Sequence, residues 1–242
     1  MKTEEIEAPV VFDSAVDEMT KAGLHFGHRT SKTHPKMKQY IAGVKSTIHI
    51  FDLVKTKEKL DEALEFITKL MQEGKVLLLV GTKLQIKQML QETATATGLP
   101  YVSERWIGGS LTNFETILKR IALLKDLQSK KEKGELEKYT KKEIGGISKE
   151  LELFEKKFGG IKNLTRLPDA LFICDAKEND IAVREAKKVN IPVIAITDTD
   201  CDPSDIAYII PANDDAVSSV RFILEKVKAS IFKGSAQPNL ET

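Results

Sequence analysis

The stretch VLLLVG at residues 76–81 decides the fold of this 242-residue chain. Five successive apolar residues, 76–80, predict a strand that is covered on both faces, as central strands of parallel sheets are. Gly81 allows a turn, Thr82 is a candidate cap, and a helix is expected from there to Thr97. Residues 101–102 then predict a short second strand. Strand, helix and strand in this order are typical of a βαβ unit.

The same alternation continues on both sides of this unit. Further buried strands are predicted at residues 171–174, 193–196 and 208–210, and helices at residues 13–22, 54–73, 180–188 and from Asn213 onward. Two short β-prone runs are expected around residues 43–46. Strands that alternate with helices predict an α/β fold, with a parallel sheet and helices on both of its faces.

A helical arm, defined as residues 113–158, interrupts this pattern. Thr112 and Glu115 have the spacing of a capping box, so a helix is expected to begin there. Two apolar stripes with spacings of three and four residues follow: Phe114, Ile117, Ile121 and Leu124, then Ile147, Leu151, Phe154 and Phe158. Matched stripes on either side of a polar connection predict an antiparallel coiled-coil hairpin. Gly145-Gly146 would weaken a helix, so its second helix is expected to be regular only from Ile147.

Positive charge is concentrated in one stretch near the amino terminus. Residues 19–51 contain six Lys and Arg residues, no Asp or Glu, and all four histidines, whereas the whole chain has a formal net charge of only +1. Cations interleaved with Phe26 and Tyr40 suit a polyanion, because Lys and Arg neutralise phosphates and rings stack on bases. A solvated basic loop is the plainer alternative.

Composition narrows the possible functions. A hydrophobic fraction of 41% is sufficient for a core, and no apolar run approaches the length that a membrane span needs. The acidic start of the chain lacks a signal-peptide core. Cys174 and Cys201 are too few for a zinc site or a disulfide framework, so a reduced, cytosolic setting is expected.

Three parts of the sequence resemble small-molecule or metal sites. Thr82, Lys83, Asp175 and Asp198 follow predicted strands, where parallel sheets bind ligands, but the phosphate-loop and dinucleotide patterns are absent. Residues 198–205 resemble a calcium loop, yet Pro203 stands where glycine is required. His25, His28 and His34 have no neighbouring acid to complete tetrahedral coordination. We therefore expect no metal and no cofactor, and keep a nucleotide- or phosphate-binding enzyme as the alternative function.

Six strings, in order, carry a family resemblance. They are GLHFGHRTSKTHPKM (23–37), VGTKLQ (80–85), RWIGGSLTNFETI (105–117), LPDALFICD (167–175), IPVIAITDTDCDP (191–203) and IPANDDA (210–216). Together they closely resemble the small-subunit ribosomal protein two family over roughly residues 12–232. The inserted arm resembles the bacterial type.

The resemblance implies both fold and function. It implies a flavodoxin-like three-layer core, formed by residues 1–112 and 159–232, with the arm inserted as a coiled coil and residues 233–242 as a flexible tail. It implies a non-enzymatic, cytoplasmic scaffold that binds ribosomal RNA at the head–body junction, on the solvent side of the small subunit. Neighbouring ribosomal proteins, including ribosomal protein number one, are the implied partners; membrane and DNA are not.

Specific residues follow from the resemblance. The candidate RNA contacts are His28, Arg29, Lys32, Lys36, Lys38, Lys45, Arg105 and Trp106. The first six lie in the stretch that charge alone selects. Trp106, beside two glycines, could equally anchor the arm. A protein-interaction module that works through the arm alone is the second alternative function.

Overall fold

The computed structural model describes residues 14–133 and 141–236. Along these residues the order is α1 (Ser14–Ala22), β1 (Phe26–Arg29), β2 (Ile41–Lys45), β3 (Ile48–Phe51), α2 (Leu53–Gln72), β4 (Leu77–Val80), α3 (Lys87–Thr97), β5 (Tyr101–Val102), α4 (Phe114–Glu132), α5 (Lys141–Phe158), β6 (Ala170–Ile173), α6 (Asp180–Lys188), β7 (Val193–Thr197), β8 (Tyr208–Pro211) and α7 (Val217–Ser235). A six-residue 3-10 helix, Pro35–Tyr40, precedes β2. Within the described ranges, none of the helices is both long and apolar enough to span a bilayer.

Five strands form one parallel sheet in the order β5-β4-β6-β7-β8. Numbered by their succession along the chain, this order is 2-1-3-4-5, the flavodoxin-like arrangement. The predicted parallel α/β core is therefore confirmed. Strand order reverses between β4 and β6, so a ligand crevice would be expected where these two strands end.

Alternate residues of the central strands support two hydrophobic cores, one on each face of the sheet. Leu77 and Leu79 belong to the core that α2, α3 and α7 cover. Leu78 and Val80 belong to the core that α4, α5 and α6 cover. All four side chains are at most 3% exposed, which explains why β4 is apolar without alternation.

The helices of the arm contribute to the second core. Ile117, Ile121 and Leu124 of α4 and Leu151 and Phe158 of α5 are buried in it. Gln128 of α4 also donates a hydrogen bond to Glu155 of α5, at 3.2 Å. The two predicted stripes thus contribute to one apolar core. Coiled-coil packing of the arm and the limits of the domains stay predictions. The connection at 134–140 lies outside the described residues.

The expectation for the second helix of the arm was wrong. α5 begins at Lys141 and passes through Gly145 and Gly146 without a break. Neither glycine would bring an added methyl group within 4 Å of another residue. Helix formation on both sides of the pair therefore outweighs the local cost of the glycines.

Two other predicted helix starts were too early, because side chains there have long-range partners. α3 begins at Lys87, and the Thr82 hydroxyl donates to Asn179 Oδ1 (3.3 Å) rather than capping it. α7 begins at Val217, because Asn213 Oδ1 accepts the N–H groups of Asp215 and Ala216 and closes a separate turn first.

α7 continues to Ser235, so residues 233–235 of the predicted flexible tail are helical. The rest of that tail, 237–242, lies outside the described residues, as do residues 1–13, which include the predicted first residue of the first helix.

Candidate nucleic-acid interface

The basic stretch folds into a small antiparallel sheet with strand order β1-β3-β2. The two predicted β runs are β2 and β3, joined through Ser46 and Thr47, which both have positive φ, as two-residue hairpin turns require. β1 was not predicted, since FGHR shows no apolar alternation. Met37, Tyr40 and Phe51 form a separate buried cluster beneath this sheet.

Four cations of this region project from the sheet and its connections. Arg29, Lys32, Lys38 and Lys45, which we call the cationic surface, are all exposed. Their side chains form neither a hydrogen bond nor an ion pair with any residue in the described part of the chain. Their charges are therefore available to an external anion.

Lys36, a further predicted RNA contact, is engaged within the protein. Its ammonium group donates to the Ser204 hydroxyl and lies 3.6 Å from Asp202 Oδ1. The backbone N–H of nearby His34 donates to Thr199 O at 2.8 Å. These contacts attach the basic stretch to the loop that follows β7.

His28 connects the small sheet to the same loop more strongly. Its Nδ1 lies 3.1 Å from Asp198 Oδ2, and its Nε2 lies 3.7 Å from Asp200 and 3.6 Å from Asp215. The hydrogen bond to Asp198 and the surrounding carboxylates outweigh burial and raise the pKa of His28 to about 9. A protonated His28 is thus an internal ion-pair partner, and we leave it out of the proposed RNA contacts.

Gly27 permits this close approach. A methyl group built on Gly27 would lie 2.6 Å from Cγ2 of Thr199. The His28 N–H donates to the hydroxyl of the same threonine at 3.1 Å. Any side chain at position 27 would therefore force Thr199 or the small sheet to shift.

The crevice beyond β4 and β6 is occupied by a second ion-pair cluster. Lys83 Nζ lies 2.7 Å from Asp175, 2.8 Å from Asp214 and 2.7 Å from Asp215. Burial lowers the pKa of Lys83, but the carboxylates outweigh it and raise the pKa overall. Burial raises the pKa of Asp214, and the nearby charge of Asp175 raises it further, because one ammonium cannot neutralise three carboxylates.

This cluster disfavours the nucleotide-binding alternative. Lys83, which would hold a phosphate, is already paired, and acids outnumber cations around it. A phosphate would meet repulsion from buried Asp175, Asp198 and Asp214. The described residues also contain no group of three or more His, Cys, Asp or Glu side chains that could hold a metal ion.

The two remaining candidates, Arg105 and Trp106, differ in exposure. Arg105 is exposed, whereas Trp106 is buried and its Nε1–H donates to Glu185 Oε1 at 3.2 Å. Glu185 also accepts the N–H groups of Gly109, Leu111 and Thr112 and the Thr112 hydroxyl. Trp106 therefore anchors the root of the arm, and we leave it out of the proposed RNA contacts. The Thr112 hydroxyl binds Glu185 instead of capping α4.

Glu185 is the residue that sequence reasoning missed here. Burial alone would raise the pKa of this carboxyl group, but the donated hydrogen bonds outweigh it and lower the pKa. The only sequence signal was an acid on the apolar side of α6, between buried Val183 and Ala186. Its partners lie more than 70 residues away along the chain.

The ribosomal protein S2 family model matches residues 19–234 of the 242-residue chain. The chain belongs to this family. The match includes the small antiparallel sheet, the five-stranded sheet and the arm. Membership makes the protein a structural component of the small ribosomal subunit, in a family that is non-catalytic, and confirms the family that the six strings indicated.

Proposed function

We propose that this S2-family protein binds small-subunit ribosomal RNA through the cationic surface. The observation that supports the proposal is the exposure of Arg29, Lys32, Lys38 and Lys45 on a small sheet that is tied to the core. A fixed array of cations releases counterions from phosphates on binding. Arg105 is a more distant candidate for the same interface.

Charge reversal at two of these positions tests the proposal. The Lys38→Glu/Lys45→Glu variant should bind RNA-containing small-subunit particles that lack this protein at least tenfold more weakly. The slope of log affinity against log salt should also fall by about 2, because roughly one counterion is released for each phosphate contact. Filter binding across a salt series measures both quantities.

A matched control separates local contacts from overall charge. Lys188→Glu/Lys226→Glu makes the same change in net charge at exposed positions on α6 and α7. Its affinity and salt slope should stay close to those of the wild type. Equal losses in both double variants would contradict the assignment of the interface.

The family resemblance also supports a finer proposal: a cytoplasmic scaffold at the head–body junction that docks ribosomal protein number one. A groove at the root of the arm suits a protein partner, since exposed Leu153 and Ile181 line it together with Arg105 and Lys157. Leu153→Glu should weaken docking of that protein at least tenfold in a pull-down titration, whereas the same change at exposed Leu84 should not. Unchanged docking with Leu153→Glu would exclude this groove.

A further inference from the structure

One face of the small antiparallel sheet carries an unusual combination of side chains. In its register Phe26 and Gly43 both pair with Ile50, while Arg29 and Lys45 both pair with Ile48. Directly paired residues project to the same face, as do residues two apart on one strand. Two rows of three residues therefore lie side by side on this face. Phe26, Ile50 and Gly43 form an apolar row, and Arg29, Ile48 and Lys45 form a row with a cation at each edge of the sheet.

This face points away from the core. Phe51, which projects from the opposite face of β3, is 2% exposed, whereas Phe26 is 43% exposed. Arg29, Gly43 and Lys45 are exposed as well. An aromatic ring on a solvent-facing sheet beside two unpaired cations is not accounted for by packing.

The Phe26 ring packs against the ring of His25. Its centroid lies 3.9 Å from that of His25, at an interplanar angle of 40°. Burial and the nearby charge of Lys45 lower the pKa of His25, so its ring is neutral at physiological pH. One face of Phe26 therefore packs against His25, while 43% of the residue remains exposed to solvent.

Gly43 leaves room at the other end of the apolar row. A methyl group built there would have no neighbour within 4 Å among the residues that the structure describes. The row of Phe26, Ile50 and Gly43 is thus a flat strip whose far end is unfilled. The row of cations lies two residues further along β3, about 7 Å away, which is comparable to the span from base to phosphate in one nucleotide.

We propose that this face binds one unpaired nucleotide of RNA, with its base stacked on Phe26 and its phosphate between Arg29 and Lys45. The inference rests on the proposed RNA-binding function and specifies the ligand of part of that surface. Stacking on an aromatic ring is tolerant of base identity, so the site selects unpaired over paired RNA and not one sequence.

The test uses the full-length protein and two RNA probes: a stem with a single bulged 2-aminopurine, and the same stem fully paired. Wild-type protein should prefer the bulged stem and change the fluorescence of its 2-aminopurine. Phe26→Ala should bind the bulged stem about tenfold more weakly, within the range for loss of one base–aromatic stack. Its affinity for the paired stem and its salt slope should not change, because no charge is removed.

Two further variants sharpen the comparison. Gly43→Val fills the open end of the strip without altering charge and should also remove the preference for the bulged stem. Val44→Ala removes an exposed apolar side chain from the same hairpin and should behave as wild type. If Phe26→Ala and Gly43→Val both keep the wild-type preference, the nucleotide site is wrong.

The outcomes distinguish this inference from the proposed function. Loss of both RNAs in Lys38→Glu/Lys45→Glu, with no effect of Phe26→Ala, leaves RNA binding in place and removes the nucleotide site. Failure of the wild type to bind either RNA at low salt overturns both. Loss of the bulged stem alone in Phe26→Ala supports both.

Discussion

At the scale of single residues, His28 decides how the basic stretch is held. Its imidazolium reaches Asp198, Asp200 and Asp215, which follow β7 and β8. The small antiparallel sheet is therefore attached to the core by a charge that depends on pH. Lys36 and Asp202 add a second, more exposed link.

Stability should consequently depend on pH in a defined window. The pKa of His28 is raised from 6.5 to about 9, so its stabilising effect is complete below pH 6.5 and is lost as pH rises through about 9. Given partial exposure, we expect the wild type to lose on the order of 2 kcal/mol across this window. Urea unfolding of His28→Gln should show a smaller loss over the same range.

The control for this prediction is His34→Gln. His34 Nε2 lies 3.8 Å from the nearest carboxylate oxygen of Asp202, beyond hydrogen-bond distance. Replacing His34 should therefore leave the pH dependence of stability close to that of the wild type. Parallel curves for wild type and His28→Gln between pH 6.5 and 9 would contradict the role given to His28.

Charge patterning located the basic stretch but did not predict which of its side chains can bind an external anion. Arg29, Lys32, Lys38 and Lys45 could not be separated from Lys36 and His28 by local sequence, because the partners of the latter two lie about 170 residues away. Three acids of that distant region, Asp175, Asp198 and Asp214, are buried. Pairing across the fold, and not composition, decides the exposure of these charges.

At the scale of elements, α5 shows a helix that is sustained by tertiary packing. Its apolar residues Leu151 and Phe158 are buried against the sheet and α4, although Gly145 and Gly146 occupy its first half. Both glycines are exposed and helical, so their missing side chains serve no packing purpose. The two glycines lower the intrinsic stability of a helix that continues through them.

Replacing them should stabilise the arm. Gly145→Ala/Gly146→Ala should lower the free energy of α5 by about 1 kcal/mol for each position, because alanine loses less conformational entropy in a helix. Slower amide exchange in residues 145–150 would measure the effect.

Gly74→Ala is the matched control. An added methyl group also has open space there, but Gly74 has a φ of +66°, which alanine adopts only with strain. This variant should be destabilised. Faster exchange in the arm of the double alanine variant would contradict the description of α5 as a regular helix.

Hydrophobic periodicity predicted the presence of helices and strands better than the residues at which they begin and end. The strands of the parallel sheet and helices α2 and α6 match their predicted positions to within a residue or two. The starts of α3 and α7 differ because Thr82 and Asn213 form hydrogen bonds other than the expected helix caps. β1 was missed because its pairing with β3, and not its own sequence, makes it a strand.

At the scale of the whole molecule, a nearly neutral chain separates its charges. The amino-terminal sheet presents cations outward and uses His28 and Lys36 to bind the acidic ends of the parallel strands. The crevice where flavodoxin-like folds bind ligands is filled by Lys83 and its carboxylates. The fold thus positions a basic surface beside the parallel sheet, in agreement with membership of the ribosomal protein S2 family.

Sedimentation of cell lysate through sucrose gradients at increasing salt tests this account most directly. The protein should travel with small ribosomal subunits at low salt and leave them progressively as salt rises, since phosphate contacts weaken with ionic strength. The Lys38→Glu/Lys45→Glu variant should leave at lower salt than the wild type. A wild-type protein that remains at the top of the gradient even at low salt would contradict the central claim.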